Sequence, residues 1–159
     1  MTAWIFTGVP GTGKGLFIHK VLKPLFGEQQ VPMRSLENIE EQFNLYMRTA
    51  LFLVVDEFRM GDSGNTGRMA DKLKHQVTEP TLTIRAMRTN QIELPSFCNF
   101  IFLTNRADAV KIEEGDRRYN VAPRQESKLE IAHPDFINKL TEVQAELFIF
   151  AGLLQKFKV

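Results

Sequence analysis

The chain has 159 residues, with 20 lysines and arginines against 19 aspartates and glutamates, a formal net charge of +1. This length fits one domain with a real core, and 43% hydrophobic with 25% charged residues is ordinary globular usage, which excludes a disordered tail or a collagen-like repeat. No run approaches the roughly 18 apolar residues of a membrane span, and the near-neutral balance excludes a bulk electrostatic grip on nucleic acid, leaving only local basic patches.

Cys98 is the single cysteine, so no internal disulfide or thiolate metal cluster is expected, and three scattered histidines suggest no zinc site. Met1-Thr2-Ala3-Trp4 lacks the basic region of a signal peptide, so a cytoplasmic location is expected.

Residues 3–6, Ala-Trp-Ile-Phe, read as a buried strand ended by Thr7-Gly8. A glycine-rich loop follows over 8–15, and then Phe17, Ile18, Val21, Leu22 and Leu25 recur at helical spacing until Pro24 ends or bends the helix. Residues 35–48 read as a second helix capped by Ser35. Leu51-Phe-Leu-Val-Val55 is an uninterrupted apolar strand, as in a sheet buried on both faces, and Asp56-Glu57 follow it. After a flexible loop at 60–67 a short helix is predicted at about 68–77. Residues 81–87 and 92–94, joined by Arg88-Thr-Asn-Gln91, predict a two-stranded hairpin ended by Pro95. Phe100-Ile-Phe-Leu103 is another apolar strand, ending in Thr104-Asn105, and 117–122 a further short one. A long helix is predicted from His133-Pro134 to Phe157, with Phe136, Leu140, Val143, Leu147, Phe150, Leu154 and Phe157 as its apolar stripe, serving core or subunit packing.

Apolar strands alternating with helices predict an α/β fold with a mainly parallel sheet flanked by helices, a β-hairpin insertion and a single domain over 1–159. Ligands of such folds bind at the carboxyl ends of the strands. Three polar signals fall there: the loop after Phe6, Asp56-Glu57 after Val55, and Asn105 after Leu103.

The loop, Gly8-Val9-Pro10-Gly11-Thr12-Gly13-Lys14-Gly15, has the Walker A spacing of two glycines five apart followed by lysine. Its glycines let backbone N–H groups turn inward around an anion, the following helix directs its positive end to the same point, and Lys14 adds a full charge. The usual hydroxyl residue after the lysine, a Mg²⁺ ligand, is Gly15 here. The metal is then either held by water and Asp56 or bound more weakly. Asp56 and Glu57 have the form of a Walker B pair, the first holding Mg²⁺ and the second polarising an attacking water. Asn105 is placed to orient that water or touch a γ-phosphate. Arg117 and Arg118 are candidates for a charge supplied by a neighbouring subunit, although on residue type alone an ion pair with Asp116 or Glu114 is the plainer reading.

The order Gly-x-x-Gly-x-Gly-Lys, Val-Val-Asp56-Glu57, a basic hairpin segment, Phe-Leu-Thr-Asn105 and Asp116-Arg117-Arg118 resembles the superfamily 3 helicases, especially those of phage and plasmid primase–helicase proteins. Phe17–Gly27, Val77–Thr81 and Asn120–Glu126 carry the same likeness, which spans about residues 4–128. The resemblance implies a P-loop, AAA+-like ATPase that uses ATP and Mg²⁺. It implies a homo-oligomeric ring, often a hexamer, that moves on single-stranded DNA during phage or mobile-element replication. Arg117 or Arg118 would be its arginine finger. Lys74, Arg85, Arg88 and Asn90 would touch the DNA backbone, in a basic segment that also holds Arg68 and Lys72. Family members usually carry an N-terminal primase or origin-binding domain, so the chain is expected to be a helicase fragment or a compact version. Two other readings stay open: a P-loop small-molecule phosphotransferase, and a nucleotide-binding assembly module with little turnover, which Gly15 keeps alive.

Overall fold

A computed structural model describes residues 2–35, 39, 44–57, 66–85, 90–106, 109, 112 and 115–157, with backbone alone at 66–71 and 137. Among the described residues seven strands form: β1 (Ala3–Thr7), β2 (Met33–Arg34), β3 (Phe52–Val55), β4 (Thr81–Ile84), β5 (Ile92–Pro95), β6 (Asn99–Thr104) and β7 (Tyr119–Val121). The main sheet runs β2-β3-β6-β1-β7 with every pairing parallel. The expected mainly parallel sheet is therefore present.

The register positions the site. Thr7 pairs with Thr104, so β1 and β6 end flush, while Val55 pairs with Phe102. All three polar signals thus leave one end of three adjacent strands, with β6 between the loop strand and the acidic strand. Strands β3 and β6 are buried along nearly their whole length, as uninterrupted apolar runs require. Strand β1 is not: it alternates, with Ala3, Ile5 and Thr7 buried and Trp4 43% exposed. The expectation of a fully buried first strand is corrected here, because β1 lies next to the short edge strand β7 and its Trp4–Phe6 face is only partly covered.

Helices sit on both faces. Helix α1 (Lys14–Phe17), a π-helical turn (Ile18–Leu22) and α2 (Lys23–Phe26) form one continuous rod. Pro24 does not end it. The Lys23 N–H bonds five residues back to Ile18 in the wide turn just before the proline, and the rod stops at Gly27, whose φ is 100°. Ile18 and Leu22 from this rod pack with Val54, Ile101 and Leu103. Helix α3 (Thr66–Thr78) covers the other face, where Leu73 and Val77 meet Ile5, Val55, Phe100 and Phe102. Truncating either fully buried phenylalanine should cost about 3–5 kcal/mol.

The hairpin β4–β5 forms its own two-stranded antiparallel sheet, with Leu82 opposite Leu94 and Ile84 opposite Ile92. The helix expected over 35–48 does not run through to its end. Asn44 has non-helical backbone (φ −129°) because its side chain and N–H both bond to Arg85, and a 3₁₀ turn (Leu45–Arg48) follows. The flexible loop expected at 60–67 lies outside the described residues up to 65, and α3 begins at Thr66.

A short helix α4 (Leu129–Ala132) precedes the long α5 (Phe136–Lys156). His133-Pro134 separates the two rather than opening the second. Of the expected stripe on α5, Leu140 and Leu147 are buried where the helix packs on the π-turn and α2, but Phe150, Leu154 and Phe157 are exposed. No described helix is long and apolar enough to cross a membrane.

Candidate functional site

Strand β1 delivers the chain into the loop at Gly8, which is held on both sides. Its N–H donates to the Thr104 carbonyl at 3.3 Å, and it bridges in parallel to Gln125. A side chain at Gly8 would meet the Gln125 Cβ and carbonyl oxygen at 2.9 Å, so close backbone approach requires glycine there. The segment responsible runs over 122–129. The Ala122 N–H donates to Ile5 O (3.0 Å), the Gln125 N–H to Thr7 O (3.0 Å), the Val9 N–H to Gln125 O (2.9 Å) and the Leu129 N–H to Gly11 O (2.9 Å). This strap ties the outside of the loop to the end of β7. Gly13 has φ 87°, a left-handed conformation that lets the loop turn into the helix beginning at Lys14.

Lys14 folds into the loop. Its Nζ donates to Gly8 O (3.0 Å), Val9 O (3.2 Å) and Thr12 Oγ1 (3.1 Å), one acceptor for each ammonium hydrogen. Burial and then the nearby Arg124 guanidinium lower its pKa, while the Asp56 carboxylate pulls the other way. The field at Lys14 therefore includes one further cation and the expected acidic partner.

Asp56 leaves β3 with its N–H on the Arg34 carbonyl (3.1 Å), and its Oδ1 accepts the Glu57 N–H at 2.9 Å. Glu57 has φ 51°, rare for a residue with a side chain and a local strain of the kind that clusters at functional sites. Both side chains are exposed, as is Asn105 at the end of β6.

The sequence reading missed Arg124. Its Nη1 donates to the Asn105 carbonyl (3.2 Å) and its Nε lies 3.1 Å from Glu126 Oε1. It follows the carboxyl end of β7, the neighbour of β1, so the rule that picked out Asp56 and Asn105 reaches it once β7 is placed. The short strand over 117–122 was expected, but its place beside β1, which carries Arg124 to the site, is a matter of sheet order that the sequence does not state.

Arg117 and Arg118 lie elsewhere. The Ala3 N–H donates to Arg118 O (2.9 Å), at the amino end of β1, opposite the loop. Arg118 Nε meets Asp116 Oδ1 at 2.8 Å and the same oxygen accepts the Arg118 N–H at 3.0 Å, so the plainer ion-pair reading holds for this arginine. Arg117 is exposed. The Arg118 contact holds the Asp116 carboxyl below the usual carboxylate range, and Lys74 on α3 adds to the effect. Lys74 thus sits on α3 within electrostatic range of Asp116. On the hairpin, the Arg85 Nε and Nη2 lie 3.1 and 3.2 Å from one end of the Gln91 amide, which satisfies both groups when its oxygen is turned toward the guanidinium, and Asn90 is exposed. Arg88 lies outside the described residues, as does the side chain of Arg68, while Lys72 donates to the Ile39 carbonyl (2.6 Å).

Beside the loop is a cavity of about 280 Å³ bounded by Phe6, Thr12, Lys14, Phe17 and Pro123. Its aromatic wall continues outward, as Phe6 meets Phe17 edge-on (centroids 6.2 Å) and stacks with Trp4 (6.4 Å). The cavity offers an apolar, aromatic wall directly beside the loop and Lys14. The donor set fits Mg²⁺ less fully: Asp56 is present with one oxygen engaged, Gly15 brings no hydroxyl, and among the described residues no group of three His, Cys, Asp or Glu could hold a metal alone. A larger cavity of about 740 Å³, lined by Lys23, Arg34, Tyr46 and Arg48, lies at the β2 edge. The Cys98 thiol is buried and pushed up to about 12, which removes it from thiolate chemistry at neutral pH.

The profile of a family of unknown function (DUF5906) matches residues 6–118. A DNA primase-polymerase of Nitratiruptor phage NrS-1 is 36% identical over 119 residues, which is 75% of this chain and 16% of that protein. Apo structures of the NrS-1 C-terminal region are also similar. One covers 99% of this chain and 37% of that one at 32% identity and a TM-score of 0.81, and a second covers 94% and 36% at 31% identity and a TM-score of 0.80. The chain thus spans about a sixth of the length of the curated relative and under two-fifths of the solved region.

Proposed function

The chain belongs to the DUF5906 family, and we propose that it is an ATP-driven helicase or translocase domain of superfamily 3 type, with a P-loop, AAA+-like core, acting in the DNA replication of a phage or mobile element. The observation that carries this reading is the convergence of the Lys14 loop, Asp56 and Asn105 at the carboxyl ends of three adjacent parallel strands. Similarity to a phage primase-polymerase supports the replication context, and a primase domain is the companion such a chain would serve.

In this reading the loop and Lys14 hold the phosphates of ATP, with the base in the Phe6–Phe17 cavity. Asp56 would hold Mg²⁺ largely through water and phosphate oxygens; the ion supplies charge neutralisation on the phosphates. Glu57, fixed by its left-handed turn, orients and deprotonates the attacking water, and Asn105 contacts the terminal phosphate. Arg117 or Arg118, at the far end of the sheet from its own loop, acts on the site of a neighbouring subunit in a homo-oligomeric ring, a hexamer by family likeness. Lys74 on α3 and Arg85, Arg88 and Asn90 of the hairpin segment touch the backbone of single-stranded DNA, giving affinity without sequence preference.

ATP hydrolysis by the chain and its Lys14→Ala variant, with and without single-stranded DNA over a range of protein concentrations, tests this. A rate that rises with DNA and steeply with concentration, and vanishes in the variant, is expected. ATP binding with no turnover under any condition would instead support a nucleotide-binding assembly module, the second reading, which the missing hydroxyl at Gly15 favours.

A further inference from the structure

We propose that Arg124 is a second cation of the phosphate site, supplied by the same chain, and that it contacts the terminal phosphoryl group of a bound nucleoside triphosphate. This rests on the nucleotide-binding reading above and adds a ligand group that the loop motif does not contain.

Arg124 is positioned by the strap. Residues on either side of it bond to β1 and to the loop: Ala122 to Ile5, and Gln125 to both Thr7 and Val9. The backbone at 124 therefore moves only if the loop moves. The side chain is partly buried, and it reaches over to β6, donating from Nη1 to Asn105 O at 3.2 Å. It thereby spans from the strand on one side of β1 to the strand on the other, across the mouth of the loop. Nη1 and Nε are engaged with Asn105 and Glu126, and the planar fork carries further N–H donors, the geometry suited to phosphate oxygens.

The electrostatics point the same way. Arg124 raises the cost of the charge on Lys14, and Lys14 is already partly desolvated. Two like charges held together by a rigid backbone are unfavourable on their own. Asp56 and Glu126 offset them in part, and both of those carboxylates reach into solvent. A polyphosphate resolves the conflict, and the group that lies furthest from the loop, toward Asn105, is the terminal one.

A purely structural Arg124 would anchor the strap and affect all nucleotides alike. The test is equilibrium binding of Mg²⁺-ADP and of a Mg²⁺-bound non-hydrolysable ATP analogue to wild type, Arg124→Gln, Arg124→Lys and Lys14→Ala, with melting curves on each. Loss of one charge-assisted phosphate contact should weaken the analogue about tenfold in Arg124→Gln and leave ADP within about twofold. Arg124→Lys should recover part of the difference. Equal shifts for the two nucleotides, or no shift, would overturn the proposal. If Arg124→Gln does not fold, an unchanged analogue-to-ADP ratio in Arg124→Lys overturns it as well. Lys14→Ala should lose both nucleotides; if wild type itself binds neither, the nucleotide-binding reading fails, which is a different result from an intact wild type with an indifferent Arg124.

Discussion

Arg118 and Lys14 lie at opposite ends of the same strand. The Arg118 carbonyl accepts the N–H of Ala3, where β1 begins, and Lys14 opens the helix beyond Thr7, where β1 ends. A five-residue strand spans about 16 Å at 3.3 Å per residue, more than an arginine side chain can reach back over. Neither Arg117 nor Arg118 can serve its own loop, so any role in phosphoryl transfer is between subunits. Mixing Lys14→Ala with Arg117→Ala chains, each inactive alone, should restore a fraction of the ATPase rate, because some interfaces pair an intact loop with an intact arginine. Arg118→Ala should complement less cleanly, since its ion pair with Asp116 is also structural. No recovery at any mixing ratio would contradict a shared site.

Gly8→Ala should destabilise the fold and the loop together. The new Cβ would press on the Gln125 backbone oxygen at 2.9 Å, and backbone on both sides is pinned. Overpacking of this kind costs about 1–3 kcal/mol. Urea denaturation should show the loss, and a shift under about half a kcal/mol would mean that the strap gives way easily.

Gly15→Thr should go the other way for the metal. Position 15 is helical, and an added Cβ meets nothing within 4 Å, so a hydroxyl residue fits. Mg²⁺-dependent nucleotide affinity should rise by about 3- to 30-fold, the worth of one to two ordinary hydrogen bonds. Titrating Mg²⁺ at fixed ATP analogue measures it. An unchanged Mg²⁺ dependence would show that the metal does not sit beside this residue.

Asp116 supplies a pH-dependent part of the stability. Its pKa is lowered in the fold, chiefly by the Arg118 hydrogen bond, so the unfolded chain binds its proton more readily. The contribution is therefore complete above the unfolded value near 3.8 and is lost as pH falls through the lower folded value. Urea denaturation at pH 6 and at pH 3 should show wild type losing more stability than Asp116→Asn. Parallel losses in the two proteins would refute the assignment.

Much of the site was legible because its signals are local. Val55-Asp56 and Leu103-Thr104-Asn105 announce buried strands with polar ends, and the spacing from Gly8 to Lys14 fixes a loop whatever the rest of the chain does. What was not legible depended on neighbours in space. Trp4 reads as core by type, and only the sheet order reveals that β7 leaves it half open. Asn44 reads as part of a helix until its bonds to Arg85 are seen. Arg124 looks like one more surface cation until the strap brings it to Asn105. The apolar stripe of α5 has the right period, but period says nothing about how far along a helix its covering extends, and Phe157 is 75% exposed.

The pairing of β1 also sets an order of assembly. Its partners, β6 and β7, begin at Asn99 and Tyr119, so the strand that leads into the Lys14 loop has no neighbour until roughly 90 further residues have been made. Closing such long loops is entropically slow. On a ribosome β1 emerges well before both of its partners and is fixed only after they follow, and the Lys14 loop is held in place only when the strap has followed β7 out.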